Sequence, residues 1–164
     1  MDLTIIAHRG AKGMAPENTL ASARLAHKQG ADMWELDAGL SRDNIPMVLH
    51  DESLLRTTDV SITPAYVHRH PWLLDQFTLA ELRGLDAGSW FSPEFRGEGL
   101  PTLVEALELS KKLNFAVNVE LKDYGCAPAS LRSVVDQTLE VIAWLDMAGL
   151  VLISSFSQNC LRLV

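Results

Sequence analysis

Short apolar runs alternate along the chain with stretches of helical periodicity, the pattern of an α/β protein. Residues 3–7 (LTIIA) read as a first buried strand, and 8–19 (HRGAKGMAPENT), rich in Gly and Pro, as a loop. Residues 16–29 carry apolar positions at Leu20, Ala23, Leu25 and Ala26, which predicts a helix starting near Glu17 or Asn18 and closed by Gly30. A second strand is expected in ADMWELDAGL (31–40), through about Asp37, and a third in 45–50 (IPMVLH) after an Asp43-Asn44 turn. Residues 51–77 read as a long irregular stretch. Two helices follow, each announced by a capping box: Thr78 with Glu81, and Thr102 with Glu105. Residues 115–121 (FAVNVEL) give a fourth strand, 129–147 a long helix with Val134, Val135, Thr138 and Ile142 on one side, and 149–155 (GLVLISS) a fifth strand. Residues 157–164 open another helix.

The resulting order is βαβ, β, α, α, β, α, β, with mostly parallel strands and one domain spanning 1–164. No internal repeat, low-complexity tract or interdomain linker interrupts it. Five strands fall short of the eight that close a (β/α)8 barrel, which takes about 250 residues. The expectation is therefore an incomplete barrel, with an open sheet or assembly of several chains as alternatives.

Composition narrows the function classes. The chain has 164 residues, 48% of them hydrophobic, enough for a sizeable core. Its formal net charge is -7 and it has no basic run, which argues against a nucleic-acid backbone binder. Neither of the two cysteines, Cys126 and Cys160, sits in a CxxC pair, and both read as buried free thiols. MDLTIIAHRG has no basic n-region or long apolar stretch, and no run approaches a membrane span. A cytoplasmic protein is expected.

The chemistry-bearing residues fall where the apolar runs end. His8 and Arg9 follow the first strand, Glu35 and Asp37 end the second, and His50 and Asp51 the third. Glu120 and Lys122 end the fourth, and Ser154 and Ser155 the fifth. In a parallel α/β fold the C-terminal strand ends share one rim, where ligands bind. Glu35 and Asp37, two apart on a strand, share a face, as do Glu120 and Lys122. Three carboxylates crowded at one rim disfavour ionisation, and a hard divalent cation such as Mg²⁺ or Ca²⁺ relieves them. Zn²⁺ on mixed His and carboxylate ligands is the rival. His8 and His50 are candidate proton carriers, or metal ligands instead. Arg9 and Lys122 offer positive charge for a phosphate, or else act as counter-ions to the acids. His68 and His70, in AYVHRHPW, read as surface or loop-packing residues.

These segments resemble the glycerophosphodiester phosphodiesterase family, in particular its bacterial cytosolic members. The resemblance rests on HRGAKGMAPENT (8–19), GADMWELDAGLSRDNIPMVLHDESLLRTT (30–58), LDAGSWFSPEFRGEGLPTLVEAL (85–107), NVELK (118–122) and SSF (154–156). It implies a TIM barrel with its site at the C-terminal mouth and hydrolysis of glycerophosphodiesters to glycerol 3-phosphate and an alcohol. It further implies His8 and His50 as acid–base pair, Glu35, Asp37 and Glu120 as ligands of one Mg²⁺ or Ca²⁺, and Arg9 and Lys122 as phosphate contacts. The stretch after RTT (DVSITPAYVHRHPWLLDQFT) departs from the family pattern, being longer and free of glycine, and the last barrel strands are not represented. The partner expected is a small glycerophosphodiester, with a homo-oligomer as an option. Two alternatives stand beside this reading: a non-catalytic barrel fragment that binds or oligomerises, and a phospholipase D-like relative. The absent leader and unpaired cysteines weigh against the latter.

Overall fold

The computed structural model describes residues 3–124 and 128–164. Four parallel strands form the sheet in the order β1 (Ile6–His8), β2 (Met33–Leu40), β4 (Ala116–Leu121) and β5 (Val151–Ser154). Helices α1 (Leu20–Lys28), α3 (Leu103–Leu113) and α4 (Pro128–Trp144) connect them, and α5 (Gln158–Leu163) follows β5. The predicted element order holds, and the architecture is the expected α/β one.

The remaining strand differs from expectation. Residues 46–48 form β3 (Pro46–Val48), which pairs antiparallel with the end of β2, Ala38 opposite Val48 and Leu40 opposite Pro46. The turn at Ser41–Asn44 is too short for a parallel crossover, which needs a dozen or more residues. The amide N–H of Asn44 donates to Ser41 O, and Asn44 takes a left-handed φ of 59° to close the turn. His50 thus reaches the rim just after a strand antiparallel to β2, not at the C-terminal end of a further parallel strand.

Strand period sorts the side chains. On β2, Trp34, Leu36 and Ala38 are fully buried against the helices, while Glu35 and Asp37 point to the opposite face. On β4, Val117, Val119 and Leu121 are buried in that same core, leaving Asn118 and Glu120 on the face of Glu35 and Asp37. The indole N–H of Trp34 donates to Ser110 Oγ at 2.8 Å, tying β2 to α3. A second core (Met47, Leu54, Trp72, Leu74, Phe77 and Leu82 among its members) holds the segment 51–101, which contains helix α2 (Leu79–Leu82). This long excursion is therefore packed around its own apolar centre. Its His70 ring contacts that of Trp72, both His68 and His70 are exposed, and neither belongs to the acidic cluster. Cys160 is a buried free thiol, as expected, and Cys126 lies outside the described residues.

Both capping boxes form: Thr78 and Thr102 accept from the N–H of Glu81 and Glu105, whose side chains reach back to the caps. The start of α1 differs from expectation. Thr19 is the cap, paired with Ser22, because Asn18 is diverted. Asn18 takes a φ of 57° and aims its buried side chain at Asp37. Among the described residues no helix is long and apolar enough to cross a membrane.

Candidate active site and metal centre

Glu35, Asp37 and Glu120 each place a carboxylate oxygen within 4.8 Å of the others. The cause is register: β2 and β4 pair in parallel, so Asp37 sits directly opposite Glu120 and Glu35 opposite Asn118. Glu35 and Asp37 are almost wholly buried. Glu35 Oε2 accepts the backbone N–H of Arg9 at 2.8 Å, but its Oε1 is buried without a hydrogen-bond partner. Burial first, then the charges of Asp37 and Glu120, push the Glu35 pKa up to about 7. An orphaned carboxylate oxygen beside two further acids is the arrangement a cation would complete, and the donors gathered there are all oxygen. That fits a hard ion such as Mg²⁺ or Ca²⁺ better than Zn²⁺, since neither histidine belongs to the cluster.

Asp37 is held from several sides. Asn18 Nδ2 donates to its Oδ2 at 2.7 Å and Asn18 Oδ1 accepts its backbone N–H at 3.3 Å. Lys122 lies 2.7 Å from Asp37 Oδ1 and 2.6 Å from Glu120 Oε1. Burial opposes the ammonium, but these two carboxylates outweigh it and raise its pKa. Arg9 contacts Glu17 at 2.9 Å and Asp37 at 3.5 Å, from a left-handed backbone (φ 57°). Both cations expected to meet phosphate therefore rest on site carboxylates.

The two histidines flank this cluster differently. His8 Nε2 lies 3.9 Å from Glu35 Oε2, and its Nδ1 lies 2.8 Å from Lys12 Nζ. Partial desolvation, then the charges of Lys12 and Arg9, hold the His8 pKa below its usual value. His50 Nδ1 is 2.7 Å from Asp51 Oδ1. Arg56 clamps Asp51 and Glu17 together. Its hydrogen bond, offset in part by burial and reinforced by His50, brings the Asp51 pKa to about 2. Burial works against the charge of Glu17, but bonds from Arg56 and Arg9 still lower its pKa. Tyr124 Oη donates to Leu49 O at 3.0 Å, bracing the backbone that carries His50. His50, Asp51, Glu120, Lys122, Tyr124 and Ser155 help line a cavity of about 520 Å³ beside the cluster.

The structure thus brings His8, Arg9, Glu35, Asp37, His50, Glu120 and Lys122 to one rim. The sequence alone gives no role to Lys12 or Arg56, and assigns Glu17 and Asn18 only to a helix start. All four stand in runs that carry the family resemblance, Lys12, Glu17 and Asn18 in HRGAKGMAPENT and Arg56 in RTT. No run shows that Lys12 meets His8 or that Arg56 meets Asp51 and Glu17, because those partners are set by tertiary contact.

The sequence model of the glycerophosphoryl diester phosphodiesterase family matches residues 8–164. The chain belongs to this family. A glycerophosphodiester phosphodiesterase of Caldanaerobacter subterraneus subsp. tengcongensis is 36% identical over 99% of this chain and 61% of its own length. Among solved structures, an Oleispira antarctica phosphodiesterase in complex with the product sn-glycerol-3-phosphate superposes with a TM-score of 0.85. It is 39% identical, over 98% of this chain and 60% of that one. A glycerophosphodiester phosphodiesterase from Agrobacterium tumefaciens gives 0.80 at 35% identity, over 98% of this chain and 61% of that one. The chain therefore spans about six-tenths of the length of each of these three proteins. The matched residues of this chain include its acidic cluster and both histidines.

Proposed function

We propose that this site hydrolyses glycerophosphodiesters to glycerol 3-phosphate and an alcohol, with one Mg²⁺ or Ca²⁺ held by Glu35, Asp37 and Glu120. The observation that carries the proposal is the convergence of three carboxylates within 4.8 Å between two histidines, in a chain of this family. A bound divalent cation would supply Lewis-acid stabilisation of charge on phosphate oxygens. Arg9 and Lys122, positioned at the rim by the acids, add fixed positive charge for the phosphoryl group. One histidine takes the proton of the glycerol 2-hydroxyl as that oxygen attacks phosphorus, and the other gives a proton to the departing alcohol. Water then opens the cyclic phosphate, with the two proton transfers reversed. Resemblance to the bacterial cytosolic members supports a cytoplasmic setting, and the sn-glycerol-3-phosphate complex of the Oleispira antarctica protein supports a small-molecule substrate.

The test is release of glycerol 3-phosphate from glycerophosphocholine by chain stripped of metal and then given Mg²⁺ or Ca²⁺. Replacing either His8 or His50 by alanine is expected to lower turnover by about 10²–10⁴. Metal-independent hydrolysis, or full turnover in both variants, would refute the reading. A second reading, a binding or oligomerising domain without turnover, draws on the exposed apolar side chains Leu152 and Phe156. Sedimentation of the chain at several concentrations, alongside the assay, separates the two.

A further inference from the structure

The loop after β1 folds back tightly on itself. The N–H of Gly10 donates to Ala7 O, and that of Lys12 to Gly10 O. Gly10 has a φ of 77°, and a Cβ there would lie 2.3 Å from Ser22 Oγ, so the turn both requires glycine and is pressed against α1. This turn returns Lys12 to His8, four residues earlier, with Nζ 2.8 Å from Nδ1. An ammonium has three donors and no acceptor, so the ring nitrogen facing it must present a lone pair. In a neutral imidazole the proton then belongs to Nε2. That nitrogen faces Glu35 Oε2 at 3.9 Å, an acceptor, so both sides of the ring favour the same tautomer. His50 is set the other way. Its Nδ1 meets the Asp51 carboxylate, which can only accept, and so carries the proton itself.

We propose that Lys12 is a positioning residue that fixes neutral His8 as the Nε2–H tautomer, aiming a proton donor at the acidic cluster. His50, oriented by Asp51, keeps an unprotonated Nε2. Resting on the proposed hydrolysis for its consequence, this divides the first step: His8 donates to the leaving alcohol and His50 receives the proton of the attacking hydroxyl. The tautomer itself does not depend on turnover.

Long-range ¹H–¹⁵N spectra of the chain labelled with ¹⁵N-histidine, in EDTA at about pH 8.5 and so above the ordinary histidine range, read the tautomers directly. His8→Gln and His50→Gln assign the two signal sets. In the wild type, His8 is expected to carry its proton on Nε2 and His50 on Nδ1. Lys12→Met should turn the His8 signals into those of a mixture of both tautomers, leave His50 unchanged, and leave the fold intact because Lys12 is exposed. Lys12→Arg, which can still donate, should restore the single form. Protonation of His8 on Nδ1 in the wild type, or a Lys12→Met spectrum identical to the wild type, overturns the proposal. Either failure leaves the hydrolysis reading standing, and an inactive chain with His8 locked would fail that reading alone.

Discussion

Glu35→Gln removes one charge from the centre of the cluster, and the structure gives the size of the effect. The wild-type carboxyl moves from 4.5 to about 7 on folding without a cation, mainly through burial. At about 1.4 kcal/mol per pH unit, its ionisation costs the folded state about 3 kcal/mol. For an acid whose folded pKa is raised, stability is fully present below the unfolded value. It falls as pH rises through the folded value. Metal-free wild type should therefore lose about 2–3 kcal/mol relative to Glu35→Gln between about pH 5 and about pH 8. Taking the difference between the two proteins cancels the groups that Glu35 does not touch. The assay is urea unfolding followed by circular dichroism in EDTA. Near pH 8 the variant should be the more stable protein. Saturating Mg²⁺ or Ca²⁺ should reverse the order, adding about 2.7 kcal/mol to the wild type at one hundred times its dissociation constant and little to the variant. Parallel pH curves for the two proteins, or equal stabilisation of both by the cation, would refute the account of a strained acid awaiting a cation.

The remaining predictions concern the supports of the site. Asn18→Ala removes both buried bonds to Asp37 and should cost about 1–3 kcal/mol in urea unfolding, together with a 10–100-fold loss of cation affinity by calorimetry, on the order expected for a residue behind a ligand. Arg56→Met frees Asp51 and Glu17, whose pKa values Arg56 holds down. The stability they contribute is present above their unfolded values near 4 and lost as pH falls through the folded ones. The deficit of this variant should thus be largest near neutrality and vanish toward about pH 2. Thr102→Ala breaks the capping box of α3 and should lower stability by about 1 kcal/mol, with cation binding unchanged.

The element order was readable because each segment carries a local signal: apolar runs for strands, 3.6-residue spacing for helices, and Thr-x-x-Glu for two helix starts. The cluster was readable for a related reason. Polar residues spaced two apart at the end of an apolar strand must share a face, and parallel strands must end together. What failed were features decided by non-local partners. IPMVLH looks like its neighbours as a string, and only the four-residue turn before it sets its direction. Asn18 is a good cap in isolation, but a buried Asp37 claims its amide, so Thr19 takes the cap. Lys12 and Arg56 are ordinary charged loop residues until the fold delivers them to His8 and to the Asp51–Glu17 pair. Residues 51–77 read as irregular because their apolar residues follow neither period, although they converge on a core shared with 82–100.

The segment 51–101 leaves and re-enters the scaffold at almost the same point. Val48 N–H donates to Pro101 O, and Met47 bridges to Thr102. Beyond His50, Asp51 and Arg56, what lies between is an excursion packed on its own apolar core and pinched off where β3 meets the start of α3. Descendants of this chain that keep Asp51 and Arg56 are thereby free to lengthen, trim or rewrite the outer part of it while the acids keep their spacing.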